Sequence, residues 1–320
     1  MAAKLARVTP FEDPGLRRVR AGAGFRYIDP KGKSAKKRDV ARARALVIPP
    51  AWEQVWISER PDGHIQAVGT DQKGRKQYIY HPDWAARRDK GKYARVLLLA
   101  DALPRARARV TADLRSEGLT RNRVLAAAFR LLDQAAPRVG SPRYLQANGS
   151  RGLTTLRRGD ATVDGSVVTL TFPAKSGKRA LLTVDDADLA AAIAELAVGK
   201  PRAPLLSYRR GRRRVPLSTG EVNDHVRALT GGLFTAKDFR TLRGTVLAAE
   251  ALAKIGPVSS GRERAEAERL AVQATAEALG NTVAVARRSY IHPGVFAKYE
   301  RGETMDLRGS PEAALRRLLS

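Results

Sequence analysis

The texture of the chain changes at Tyr93, and that change limits the folds open to it. Up to residue 91 the apolar stretches are short and broken by Gly and Pro. GFRYIDP, QVWISE, IQAVGT and KQYIYHP carry β-branched and aromatic residues at strand length, with PDGH and DQKGRK between them as turns. SAKKRDVARARALVIP, between the first two, has helical character and stops at Pro49 and Pro50. From Tyr93 the chain becomes Ala/Leu/Arg-rich with helical spacing. YARVLLLADALPRARARVTADLRSEG forms one stretch, which Pro104 bends or resets, and TRNRVLAAAFRLLDQAAPRVG a second, capped by Thr120. ATVDGSVVTLTFPAKSGKRALLTVDD is a β interlude that turns at DG and KSGK. Helices resume over about 185–198, 218–230, 238–254 and 261–279, and SPEAALRRLLS is a last amphipathic stretch. SYRRGRRRVPLS reads as a basic loop. No repeat of roughly 20–50 residues is present. The expected fold class is α+β. A small N-terminal β-sheet lobe (1–91) is followed by a larger, mostly α-helical lobe (92–320) containing a β-hairpin or three-stranded sheet. RRDKGKY, at 87–93, reads as the hinge between them.

Charge narrows the partners. Lys and Arg total 59 against 32 acidic residues, a formal net charge of +27, while an apolar share of 43% supports folded cores. The cations run through the whole length, so they belong to a folded surface that attracts polyanions. Neutralising phosphates with counterion release supplies salt-sensitive affinity for DNA or RNA. Two basic lobes on a hinge can close around a rod-shaped polyanion. No apolar run approaches the roughly 20 residues of a membrane-spanning helix, and the N-terminus lacks the apolar segment of a signal peptide. A cytoplasmic location is expected. There is no Cys, and the four His form no HxxxH pair, so neither a disulfide framework nor a metal centre is expected. PKGKS has Tyr27 where a phosphate-binding loop needs Gly, SGKR ends in Arg179 where Ser or Thr is required, and no GxGxxG follows a strand. Nucleotides and cofactors are therefore not expected.

Near the C-terminus, LGNTVAVARRSYIHPGVF sets Tyr290 behind two arginines. A phenol that attacks a phosphodiester needs help, because its ordinary pKa is about 10. Charge gathers on the non-bridging oxygens, which suit the fixed, always-cationic fork of Arg. The leaving oxygen needs a proton from a general acid. One phosphodiester is exchanged for another, so no ATP is consumed. Candidates lie upstream. Arg138 follows a helix in AAPRVGSPRYL, and Lys175 sits at a hairpin tip in FPAKSGK. Arg240 lies in KDFRT one turn after Lys237, and Asn281 opens the segment that ends in Tyr290. Each has a plainer alternative. The arginines can be solvated, Lys175 a turn residue, Asn281 a helix N-cap, and Tyr290 a packed ring.

Their order is informative. VIPPAWEQVWI, GHIQAVGTDQKGRKQYIYHPDW, NGSRGLTTL, FPAKSGK, KDFRTLRGT and GNTVAVARRSYIHP resemble, in sequence, the blocks of the poxvirus-like bacterial type IB DNA topoisomerases, within the tyrosine recombinase superfamily. The resemblance implies that Tyr290 attacks the scissile phosphate of double-stranded DNA, forming a 3′-phosphotyrosyl link and freeing a 5′-hydroxyl. Arg138 and Arg240 would hold the non-bridging oxygens, Asn281 would donate to one of them, and Lys175 would protonate the leaving oxygen. It further implies a monomer clamped around DNA, with Gln77, Tyr78, Tyr80 and Lys237 as DNA contacts, and neither metal nor nucleotide. Such an enzyme would be nucleoid-associated. Two departures stand out. Asn281 replaces the His of poxvirus members, and Leu242 and Arg243 stand where a bulkier aromatic and a small residue are expected. A site-specific tyrosine recombinase is the alternative within the same chemistry. Against it stand the N-terminal blocks and the lack of an evident helix past Tyr290 to dock on a neighbour. A non-catalytic basic nucleic-acid-binding protein is the alternative outside it.

Overall fold

A computed structural model describes residues 5–320, apart from the side chains of Lys90, Asn148 and Ser176. The fold is α+β, and the chain divides after Gly91 into two compact units.

The first unit is built on an antiparallel sheet of Gly15–Ala21 (β1), Gly24–Ile28 (β2), Glu53–Ser58 (β3), Ile65–Thr70 (β4) and Lys76–Tyr80 (β5), in the order β2-β1-β3-β4-β5. Helix α1, Lys37–Ala45, covers one face. Leu16, Val55, Ile57 and Ala67 pack there with Ala43 and Ile48. Trp56, Ile65 and Val68 pack with Val8 on the other face. Strand β1 is the one that sequence patterning misses. Its three arginines disguise the alternation, yet Arg18 is buried. The Arg18 guanidinium donates to the carbonyls of Ile48, Pro49 and Trp52 at 2.7–2.9 Å and lies 4.2 Å from the Phe25 ring centroid. A cation is here a structural cross-link, so the strand reads as charged although it is amphipathic.

The expected hinge at 87–93 is not a loop. Helix α2 runs from Pro82 to Leu114 without a break. Pro82 occupies the first turn, where its missing N–H costs nothing. Gly91 costs about 1 kcal/mol in a helix interior. Val96, Leu99, Leu103, Ala106, Val110 and Leu114 recur at helical spacing and are all buried, which outweighs that cost. Pro104 lies on the exposed side of the same helix and does not end it.

In the second unit, α3 (Arg121–Ala135) runs through the core. The Thr120 hydroxyl caps it by accepting from the Arg123 N–H at 3.2 Å. Phe129 on α3 meets Phe239 edge-to-face at 5.2 Å between centroids. A short helix, Pro142–Asn148 (α4), follows. Ala161–Asp164 (β6), Val167–Pro173 (β7) and Arg179–Asp185 (β8) form the three-stranded sheet, and Ala187–Ala197 is α5.

SYRRGRRRVPLS is not a loop but a hairpin, Ser207–Arg210 (β9) with Arg213–Pro216 (β10). Gly211 supplies the turn at φ 61°, and Tyr208 pairs with Val215 across the strands while packing on the core. Six helices complete the unit: Thr219–Thr230 (α6), Ala236–Ile255 (α7), Gly261–Ala278 (α8), Val283–Tyr290 (α9), Pro293–Glu300 (α10) and Pro311–Leu319 (α11). Two helices therefore follow Tyr290: α11 is the last amphipathic stretch expected from the sequence, and α10 is not singled out there. Val295, Leu315 and Leu318 bury them in this unit's own core.

Candidate active site

Arg240 is the fixed point. Thr235 and Asp238 form a capping box at the start of α7, with the Thr235 N–H donating to Asp238 Oδ2 at 2.8 Å. Arg95 from α2 donates to the same carboxylate at 2.8 Å. The first turn of α7 is thus held rigidly, and Arg240 comes off it buried. Its Nη1 donates to the Ala136 carbonyl at 2.6 Å and its Nη2 to the Leu279 carbonyl at 2.8 Å, while Nε has no partner. Ala136 ends α3 in the left-handed region at φ 46°, the bend that turns its carbonyl toward Arg240.

Arg138 sits two residues further on. The segment NGSRGLTT locks its backbone: the Leu153 N–H donates to the Arg138 carbonyl at 2.8 Å and the Thr154 N–H to the Val139 carbonyl at 2.9 Å. Gly152 is required there, because a Cβ would lie 2.4 Å from the Arg138 carbonyl oxygen. Arg138 Nη2 donates to the Gly280 carbonyl at 3.0 Å and to Asn281 Oδ1. The cap of α9 is Thr282, whose hydroxyl accepts from the Val285 N–H. Asn281 is therefore not the N-cap that a plain reading assigns to it. Its Nδ2 is buried with no partner, a donor held ready beside two guanidinium groups.

Tyr290 ends α9, half-buried, with its ring centroid 4.9 Å from the Arg240 guanidinium carbon. Three residues absent from the sequence-based candidates seat it. Thr245, fully buried on α7, accepts from the His292 N–H at 3.1 Å. Its hydroxyl oxygen lies 2.7 Å from the Thr241 carbonyl oxygen and 3.3 Å from that of Tyr290, so it can donate to either. Gly244 lets α9 approach so closely that a Cβ would stand 2.6 Å from the Tyr290 carbonyl oxygen. The Tyr93 hydroxyl donates to the Arg288 carbonyl at 3.3 Å. His292 caps α10, its Nδ1 accepting from the Gly294 N–H at 2.9 Å. Burial holds this imidazole below its ordinary pKa, helped by the charge of Lys92.

Electrostatics favour a bound anion. Burial by itself raises the Tyr290 phenol, but the charges of Arg240, then Arg138, then Lys237 outweigh it and hold the phenol below its ordinary value. Arg138 also lies below its ordinary value, first through burial and then through repulsion from Arg240. A group carrying negative charge between the two guanidinium groups relieves that repulsion. A cleft of about 280 Å³ opens beside them, lined by Arg138, Arg151, Lys178, Arg179, Arg240 and Asn281.

Arg138, Arg240, Asn281 and Tyr290 are thus brought together, and Lys237 joins them through its charge. Lys175 is not in that cluster. It lies exposed in the turn Lys175–Gly177 between β7 and β8, and Lys178 and Arg179 of the same hairpin line the cleft instead. In the first unit, Tyr78 and Tyr80 share one face of β5 with stacked rings 6.0 Å apart, and Arg88 lies 5.1 Å from the Tyr80 ring. The Gln77 amide donates to Asp71 at 2.9 Å. Among the described residues, no group of three or more His, Cys, Asp or Glu could hold a metal ion, and no helix is long and apolar enough to cross a membrane.

Residues 74–307 match the family described as the catalytic core of eukaryotic DNA topoisomerase I. Residues 24–71 match the N-terminal domain of bacterial DNA topoisomerase IB. The chain is similar to the DNA topoisomerase 1B of Acanthamoeba polyphaga mimivirus, 28% identical over 315 residues that cover 91% of this chain and 92% of that protein.

Proposed function

This chain belongs to the type IB DNA topoisomerase family, and we propose that it relaxes supercoiled DNA by transient cleavage of one strand through Tyr290. The Tyr290 oxygen attacks the scissile phosphorus, the bond to the 5′ oxygen breaks, and a 3′-phosphotyrosyl link forms. Arg138 and Arg240 neutralise the two non-bridging oxygens as charge builds there. Asn281 donates its free Nδ2 hydrogen to one of them. Lys175 delivers a proton to the departing 5′ oxygen from its hairpin tip, a role that requires the tip to move toward the cleft when DNA binds. The freed end swivels, driven by the torsion of the DNA, and the 5′-hydroxyl then reverses the attack. Bond energies nearly balance, so neither ATP nor a metal ion is needed. Double-stranded DNA is the partner, with Gln77, Tyr78, Tyr80 and Lys237 as further contacts. A monomer is sufficient for each step.

The observation that carries this reading is the Tyr290 ring held 4.9 Å from Arg240, with the phenol depressed by three cations. A plasmid-relaxation assay in EDTA without ATP tests it. Wild-type protein should relax both positive and negative supercoils, and Tyr290→Phe should bind DNA without relaxing it. Relaxation by the Phe variant would rule out the nucleophile. The recombinase alternative requires synapsed sites. The match of residues 24–71 to a topoisomerase N-terminal domain, and the burial of α10 and α11 in their own unit, argue against it.

A further inference from the structure

The cleft wall contains an arginine that has no role in the chemistry above. Arg151 follows α4 and lines the cleft with Arg138, Arg240 and Asn281. Its side chain is 14% exposed, and its Nη2 donates to Asp160 Oδ1 at 2.8 Å. Asp160 is buried just ahead of β6, and its second oxygen accepts from the Arg157 N–H at 2.8 Å. The Arg151 backbone N–H donates to the carbonyl of Pro173, the last residue of β7, at 2.7 Å. Ala161 pairs with Leu170, so the start of β6 and the end of β7 are neighbours. One residue thus fastens both at a single corner, and that corner is the root of the turn that carries Lys175. Ser150 adds a bond at the next position, its hydroxyl donating to the Ala174 carbonyl at 3.1 Å.

Stability does not explain the Arg151–Asp160 pair. Apolar residues of similar volume often match or better a buried ion pair, and Arg151 Nε is buried with no partner, which costs free energy. What the pair supplies is a fixed direction, and Lys175 needs one. The Lys175 ammonium rides on a flexible four-carbon stem in an exposed turn, and among the described residues no side-chain hydrogen bond or ion pair involves it. Its tip has to swing toward the cleft about a root that stays in place. That root is also tied to the phosphate clamp: the N–H of Leu153, shortly after Arg151, donates to the Arg138 carbonyl at 2.8 Å. We infer, on the reading of Lys175 as general acid, that Arg151 is its positioning residue. The Arg151–Asp160 pair holds the root of the hairpin in register with the scissile phosphate. The ammonium then gives its proton to the departing 5′ oxygen as the phosphorus–oxygen bond breaks, and the amine left behind takes the proton back on religation.

The experiment follows covalent adduct formation in a single turnover, with full-length protein at saturation. Two duplexes are compared that differ only in the 5′ bridging atom, oxygen or sulfur, and sulfur leaves without a proton. The variant is Arg151→Gln, whose amide is too short to reach Asp160. It should form the adduct at least about tenfold more slowly than wild type on the oxygen duplex, yet within about twofold of wild type on the sulfur duplex. Combined with Lys175→Ala, it should be no slower than Lys175→Ala alone. Arg151→Gln leaves Asp160 buried and unpaired, so the double variant Arg151→Gln, Asp160→Asn is measured beside it, with folding checked by thermal melting. The double variant should show the same split between the two duplexes. Equal slowing on both duplexes would overturn the inference, because it would mark a contact to the phosphate or a general loss of structure. So would a defect that multiplies with that of Lys175→Ala, or no defect at all. Lys175→Ala alone is the control. If sulfur rescues it but not Arg151→Gln, only the role of Arg151 fails. If Lys175→Ala shows no such split, the general-acid assignment itself fails, and the role of Arg151 falls with it.

Discussion

Gly244→Ala isolates the seating of Tyr290 from the chemistry of its neighbours. Gly244 lies inside α7 and contributes no group to the cleft. An added Cβ would stand 2.6 Å from the Tyr290 carbonyl oxygen, 3.0 Å from Leu279 Cδ1 and 3.1 Å from Tyr290 Cβ. The nearest obstacle is backbone and cannot rotate away. Reaching ordinary contact requires the end of α9 to recede by roughly 0.8 Å, and a displacement of that size costs about 100-fold in rate when it falls on a reacting group. Two stability effects oppose each other. Ala favours a helix interior over Gly by about 1 kcal/mol, while overpacking costs about 1–3 kcal/mol. The net destabilisation is then no more than about 2 kcal/mol, and the variant should fold. Single-turnover cleavage of a duplex with a short, readily lost 3′ segment is the assay. The covalent adduct should form about 100-fold more slowly, with DNA affinity unchanged. A cleavage rate equal to wild type, accompanied by a higher melting temperature, would show that Gly244 does not set the position of Tyr290.

Further expectations concern single side chains. Thr245→Val leaves the part-buried His292 N–H unmet at a cost of up to about 1–3 kcal/mol, and it should slow cleavage while Thr245→Ser restores it, measured by the same assay. For Tyr290 the sign runs toward lower pH: a phenol depressed in the folded state ionises before its unfolded counterpart. Its ionisation stabilises the fold only above the folded pKa. The cleavage rate should accordingly rise with pH through an inflection below the ordinary phenol value, and Arg240→Gln should move that inflection upward. If Lys175 is the general acid, Lys175→Ala should slow cleavage by about 100-fold to 10,000-fold. The defect should largely vanish on a substrate whose 5′ bridging oxygen is replaced by sulfur, which leaves without a proton.

Much of the fold is legible because periodicity and capping agree. The Ala/Leu spacing of α3 and the Thr120 cap announce that helix, and the DG and KSGK turns announce the three-stranded sheet. Two missed strand elements share a cause, namely arginines whose role is structural or which stand in register with other arginines. Strand β1 hides behind Arg18, and the hairpin β9–β10 behind its own charge. The hinge reading at 87–93 gave weight to Gly91 and local charge, whereas the buried stripe from Val96 onward carries the helix. Within the site, charged residues at element ends stand out in the sequence. Thr245 and Gly244 do not, because a buried hydroxyl and a missing Cβ act only through contacts made across 45 or so residues of chain.

Digestion of a trapped protein–DNA adduct, followed by mass spectrometry of the DNA-bearing peptide, tests the central claim most directly. The nucleotide remnant should lie on Tyr290, joined through a 3′-phosphate, with a 5′-hydroxyl on the released strand. A remnant on any other residue, a 5′-phosphate linkage, or no adduct at all would contradict it.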